Sequence, residues 1–226
     1  MEKSVRTVTA LKAQKKNPQR ISVFLDGQFA FGVSRLVAAW LQVGQKLTEE
    51  RLAQLLHEDR VETLYQRALR YLSFRPRSEQ EMNAYLISYE KDERVRNLIL
   101  ERLKANGWLD DCQFAAQWVE NRATFRPRSK KALTLELRQH GVQAEVIDQA
   151  LQNLDEEEMA YQAVQKCLHR YRDLDKPTFR RKVYDFLIRR GFSYEVVLPT
   201  IQRCWQEIHS DTEMEQEEAK GWNGRG

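Results

Sequence analysis

Glycine and proline are scarce in this sequence, nine and five among 226 residues. So few breakers leave long stretches of Leu, Ala, Gln, Glu and Arg uninterrupted, a composition that favours helix over sheet. Cysteine is scarcer still. Cys112, Cys167 and Cys204 form an odd set without CxxC spacing, which excludes a disulfide framework or zinc knuckle and leaves buried free thiols as the expectation. No apolar run approaches the ~20 residues that span a bilayer. Residues 1–20 also lack the apolar stretch of a secretory signal. A folded cytoplasmic protein without membrane contact is expected. Its 42% hydrophobic residues suffice for a core, and a mean hydropathy of -0.69 implies much polar surface.

Catalytic patterns are missing as well. The sequence has no phosphate-binding GxxxxGK[ST] loop, no GxGxxG, no HExxH, no GxSxG and no paired Cys-His metal spacing. His57, His140, His169 and His209 lie on separate predicted helices or their ends, as surface or packing residues. Glu156-Glu157-Glu158 opens a helix, where negative charge complements the helix dipole. No enzyme, cofactor or metal is expected.

Charge is unevenly spread. The chain carries +4, but residues 211–226 hold five acids against Lys220 and Arg225, so residues 1–210 carry +7. A basic body with an acidic, unpatterned tail suits a polyanion or an acidic protein groove as partner.

Among the residues present, Ile21–Leu25, Asp26-Gly27 and Gln28–Val33 read as a β-hairpin, because Asp-Gly supplies the positive φ values of a two-residue type I′ turn. Its apolar Val23, Leu25, Phe29 and Phe31 must rest on the helices that follow or on a partner. Ser34 to Gln42 reads as a helix, and Thr48 caps another carrying Leu52, Leu55 and Leu56.

The main signal is an internal repeat. Phe74-Arg75-Pro76-Arg77-Ser78 recurs letter for letter as Phe125-Arg126-Pro127-Arg128-Ser129, 51 residues later. The same offset pairs Leu86 with Leu137, Val95 with Val146 and Leu100 with Leu151. At an offset of 50 a third copy follows, pairing Leu137 with Leu187 and Gly141 with Gly191. There Lys176-Pro177-Thr178 replaces the Arg-Pro-Arg letters, and the Thr178 hydroxyl is expected to cap the next helix. Each copy reads as three short helices that must close on one another to bury their stripes. The expected fold is mainly α: three tandem three-helix bundles in an elongated arrangement, preceded by a short β-hairpin and helices. The expected divisions are 1–58 for the hairpin and helical lead-in, 59–109, 110–154 and 155–209 for the repeats, and 210–226 for a disordered acidic tail.

The arginines of the turn exceed what a turn requires. Proline blocks helix continuation and Ser78 or Ser129 caps the next helix. Two guanidinium groups flanking a rigid proline instead make a donor array suited to phosphates or to a partner's carboxylates, unless they pair with local acids such as Glu81 or Asp111. The third copy is denser in charge, with ten Lys or Arg against four acids from Val164 to Gln206. Tyr171, Tyr184, Phe192 and Tyr194 are interleaved there, which permits base stacking but is commoner in a core. Trp40, Trp108, Trp118 and Trp205 fall on apolar stripes and read as packing.

Arg75-Pro76-Arg77-Ser78 ahead of a capped helix, then Gly107-Trp108-Leu109-Asp110-Asp111 with Phe114, Ala115, Trp118 and Arg122, resemble the bacterial RecX regulatory proteins. Leu137, Gly141, Val146, Ile147, Ala150 and Leu151 match as well, and the resemblance covers residues 60 to 208 with a similar hairpin before them. It implies a non-enzymatic regulator that lies in the groove of the RecA filament on DNA and limits filament extension, strand exchange and ATP hydrolysis; apart from the resemblance, a monomer is expected. The candidate contacts to filament or DNA are Arg75, Arg77, Arg122, Arg126, Arg128, Arg180, Arg181, Lys182, Arg189 and Arg190. The alternative is a direct DNA binder, on single or double strands, that competes with RecA for single-stranded DNA. A compact globule of this length has a radius of gyration of roughly 17 Å. Small-angle scattering is expected to give an appreciably larger value, and one near the compact figure would contradict the elongated arrangement.

Overall fold

A computed structural model describes residues 5–222, with side chains through residue 209. The chain divides into two compact units between Leu109 and Asp110.

The first unit begins with strands β1 (Val5–Gln14), β2 (Asn17–Leu25) and β3 (Gln28–Ser34), then helix α1 (Arg35–Ala38) and strand β4 (Lys46–Thr48). They form one antiparallel sheet in the order β3-β2-β1-β4. The expected hairpin is its centre, and Asp26 and Gly27 take φ values of 50° and 85° as a type I′ turn demands. Strands β1 and β4 are additions to the sequence reading. β1 holds the β-branched Val5, Thr7, Val8 and Thr9, but only Val8 is fully buried, so its apolar alternation is faint. Val23 and Leu25 are buried as expected, whereas Phe29 is exposed. Val23 pairs with Phe31 but Phe24 with Phe29, and this irregularity turns Phe29 to the other face, where it meets Phe24 edge-on at 5.9 Å.

Helix α2 (Glu49–Leu72) is capped by Thr48, as read, but runs unbroken for 24 residues. The division expected at 58/59 therefore falls inside it. The helix serves two cores: Leu55 packs under the sheet, and Val61, Leu64, Tyr65 and Ala68 pack against α3 (Glu79–Ile87) and α4 (Glu93–Ala105). Asp59 ties sheet to helix by accepting from Arg20 at 2.9 Å and from the Ser34 N–H at 2.5 Å.

The second unit comprises α5 (Asp111–Phe125), α6 (Lys130–Gln139), α7 (Ala144–Leu151), α8 (Glu156–Gln165), α9 (Lys176–Ile188) and α10 (Tyr194–Trp222). One core runs through all six, from Phe114 and Leu133 to Phe179, Val197 and Cys204. The second and third repeats are thus a single folded body. Glu156 accepts from the Lys130 N–H at 3.1 Å, so the α8 start also supplies negative charge to the α6 start.

Ser78 and Ser129 cap α3 and α6 as expected, and both are fully buried. The third repeat departs from expectation. Asp175, not Thr178, caps α9 by accepting from the Thr178 N–H, and Pro177 sits in the first helical turn, so α9 starts a turn earlier than α6. Its first helix stops at Gln165, followed by a 3-10 turn at Leu168–Arg170. α10 continues through residues read as an unstructured tail, whose Glu, Gln, Ala and Lys are good helix formers.

Two tryptophans read as packing are exposed: Trp40 at 78% and Trp108 at 59%. Each follows a helix end, where a helical stripe no longer predicts direction. Tyr194 is exposed, Phe192 buried, and Tyr171 and Tyr184 lie between. Cys112 is exposed, while Cys167 and Cys204 are buried, and burial pushes the Cys204 thiol up to about 12.

Gly191 closes α9 at φ +88°, and a Cβ there would lie 2.6 Å from Ser129 Oγ. Gly107 has φ +70° but open space around it. Gly191→Ala is therefore expected to cost about 2 to 4 kcal/mol, and Gly107→Ala about 1 to 2, in urea denaturation. Equal losses would contradict the close approach of the two turns.

Candidate cation and aromatic surface of the repeats

The Arg-Pro-Arg-Ser turn fixes where its two arginines go, because the following serine is buried and the preceding helix ends rigidly. The pair diverges instead of forming a fork. Arg75 closes on Glu81 with two contacts of 2.9 and 2.8 Å, and that carboxylate raises its pKa. Arg77 lays its guanidinium over the Tyr71 ring at 4.0 Å, with its Nε buried and facing no acceptor. In the second repeat Arg126 is exposed, while Arg128 reaches Glu136 at 3.2 Å. Arg122 reaches the same carboxylate at 2.7 Å.

Unit two brings Arg128 close to Arg189 and Arg190. The Ser129 N–H donates to the Arg190 carbonyl at 3.2 Å, joining the repeat-two turn to the end of α9. Burial lowers the Arg190 pKa, and the like charges of Arg128 and Arg189 act in the same direction. Arg181, Lys182 and Arg189 are exposed. Arg180 borders a groove of about 370 Å³ with Phe179, Ile201 and Trp205.

The offset of 51 also relates five positions that sequence identity does not reveal as a group, because only Arg77 and Arg128 share a residue type. In the first repeat they are Arg67, Tyr71, Arg77, Tyr85 and Tyr89. Tyr71 and Tyr85 stack at 3.9 Å with planes 4° apart, Tyr85 meets Tyr89 at 5.2 Å, and Arg67 lies 4.2 Å over Tyr89. In the second repeat they are Trp118, Arg122, Arg128, Glu136 and His140. Trp118 and His140 lie 4.3 Å apart, Arg122 lies 4.4 Å over Trp118, and Trp118 Nε1 donates to Glu136 at 2.8 Å. In the third, Arg190 lies 4.0 Å over Phe186, which occupy the places of His140 and Glu136. The signal that could have found the cluster was the alternation of Arg with aromatic residues at matched offsets.

The chemistry differs by repeat. Glu136 is shared by Arg122, Arg128 and the indole, so the second cluster is closed around one acid. The first has Tyr85 where Glu136 would stand, and among the described residues Arg67 and Arg77 meet no carboxylate. Nearby acids are engaged elsewhere: Glu90 by Arg60, Glu81 by Arg75 and Glu79 by Lys104. Burial, then the neighbouring Tyr89 hydroxyl, raises the Tyr85 pKa. Among the described residues no group of three His, Cys, Asp or Glu could hold a metal ion, and no helix is long and apolar enough to cross a membrane.

Glu136→Ala is expected to strip three donors of their acceptor and to lower stability by about 1 to 3 kcal/mol in urea denaturation. A loss within about 0.5 kcal/mol, as at an exposed site, would contradict the closed cluster.

Comparison with known proteins places these elements. Four family models match: the RecX N-terminal domain over residues 6–48, and the first, second and third three-helix domains of RecX over residues 65–103, 110–151 and 155–199. The regulatory protein RecX of Bacillus licheniformis is 31% identical over 219 residues, covering 95% of this chain and 83% of the relative. That of Bacillus subtilis is 30% identical, covering 92% and 81%. A crystal structure of regulatory protein RecX superposes with a TM-score of 0.68 at 28% identity, covering 84% of this chain and 96% of the other. RecX from Lactobacillus salivarius, at 23% identity and a TM-score of 0.57 over 65% of this chain and 97% of the other, shares the fold.

Proposed function

Because this chain belongs to the RecX family of regulatory proteins, we propose that it regulates the RecA recombinase by binding in the groove of the RecA filament on DNA. There it limits filament extension, and with it strand exchange and ATP hydrolysis. The relatives are named regulatory proteins, which fits a chain that performs no chemistry of its own. A DNA-bound partner gives the cytoplasm as its place of work.

One observation carries the reading. Phe74 and Phe125 are 73% and 69% exposed, and each stands directly ahead of an Arg-Pro-Arg-Ser turn. A large apolar side chain at such exposure contributes little to its own core. Aromatic and arginine residues side by side are the commonest anchors of protein interfaces. Two copies of one anchor on successive repeats suit a partner whose own surface repeats, as the subunits of a helical polymer do. Once one repeat is seated, the next binds at a raised effective concentration. In the third repeat Asp175 occupies the corresponding place and caps α9 instead, so that repeat contributes through Arg180, Arg181, Lys182 and Arg189.

The test is an ATPase titration of the cognate RecA filament with the full chain. Phe74→Ala and Phe125→Ala are each expected to raise the half-inhibitory concentration about tenfold, equivalent to ~1.4 kcal/mol per anchor, and the double variant by more than either. Circular dichroism should be unchanged, since both side chains are exposed. A double variant that inhibits like the parent would overturn the reading.

A further inference from the structure

We propose that the first repeat carries a binding site for single-stranded nucleic acid, in which Arg67, Tyr71, Arg77, Tyr85 and Tyr89 stack unpaired bases and hold the adjoining phosphates. This goes beyond the reading above and does not rest on it. It also moves direct nucleic-acid contact away from the basic third repeat, where charge counting alone would put it.

The geometry is that of a stacked column. The Arg77 guanidinium covers one face of Tyr71, Tyr85 covers the other, Tyr89 leans on Tyr85, and Arg67 covers Tyr89. A guanidinium that stacks by its face leaves its in-plane N–H groups at the rim, where they match phosphate oxygens; the Arg77 Nε is buried, so exposed Arg67 is the one that presents such a rim to solvent. Bases stack on guanidinium planes as readily as on aromatic rings. Tyr89 is 47% exposed and Arg67 is exposed, so the column is open to solvent on the Tyr89 side.

Two contrasts separate this from packing. The same five positions in the second repeat are locked by Glu136, which takes up Arg122, Arg128 and the Trp118 indole. The second repeat draws its arginines onto an acid at that place, and the first repeat has a tyrosine, which offers them no charge. Moreover, the acids around the first cluster are drawn off by Arg60, Arg75 and Lys104, which leaves two positive charges beside three rings. Rings with uncompensated cations are what a single strand requires. A duplex hides its base faces, and a protein anion would have no use for the ring column.

The experiment is fluorescence anisotropy of the full chain with a labelled oligothymidine of about 16 nucleotides, in the absence of any recombinase. A failure here thus leaves the RecA reading untouched. The parent is expected to bind the oligonucleotide. An abasic strand with the same phosphates should bind roughly 5- to 150-fold more weakly, the span of one stacked base. Tyr89→Ala should lose a similar factor, and so should Tyr85→Glu, which installs the acid of the second repeat. Arg67→Gln, at an exposed position, serves if circular dichroism shows either variant unfolded. The proposal is overturned if the parent does not bind, if the abasic strand binds as tightly, or if the folded variants bind like the parent while Arg180→Ala with Arg181→Ala abolishes binding.

Discussion

The reversal between the first and second helices of a repeat is the constraint on which the rest depends. Proline ends one helix because it cannot donate and clashes with the turn before it. The serine two residues on, fully buried at both Ser78 and Ser129, opens the next by accepting from the N–H three positions ahead. A buried hydroxyl has one productive orientation, so the turn cannot drift. The residues around it inherit that rigidity: Phe74 and Phe125 are held outward, and Arg77 and Arg128 are laid back against the repeat. In the second unit the fixed turn is itself a packing partner, since Gly191 approaches Ser129 too closely to admit a side chain. Two repeats share one core there because their turns interlock.

On that frame, chemistry varies while geometry persists. The position of Tyr85 and Glu136 decides whether a cluster is closed or open. A carboxylate among arginines forms charge-assisted bonds that offset the desolvation of all the groups involved. A tyrosine in its place gives up the charge and supplies a ring face. Four changes among five matched positions, with Tyr85 against Glu136 the decisive one, thus separate an internal lock from a surface that can accept something external. The proposed filament contact and the proposed nucleic-acid contact use different parts of the same turn, the phenylalanine before it and the second arginine within it.

Local chemistry was the most legible part of the fold. Asp26-Gly27 specified its turn, Thr48, Ser78 and Ser129 specified helix starts, and the spacing of Leu86, Leu137 and Leu187 placed one core position in three repeats. Features decided by tertiary context were less visible. β1 is held by pairing on both sides, to β2 and to β4, more than by its own apolar content. α2 shows no break where one core gives way to the next, because the apolar stripe only moves round the helix, from Leu52 and Leu55 on the sheet side to Val61, Leu64, Tyr65 and Ala68 on the opposite side. Trp40 and Trp108 lie past helix ends, where periodicity stops carrying directional information. The cap of α9 was missed because Asp175 stands a full turn ahead of the position matching Ser129. Arginines were picked out by their letters, whereas the cluster that distinguishes the first repeat rests on tyrosines that match no letter in the second.

The central claim is that a regulator built of repeats meets a repeating partner through equivalent points on successive repeats. Amide hydrogen exchange of the full chain, alone and with saturating RecA filaments on single-stranded DNA, tests it most directly. The account predicts slowed exchange at both 73–78 and 124–129. Protection confined to the N-terminal sheet, or to one of the two turns with the other unaltered, would contradict it.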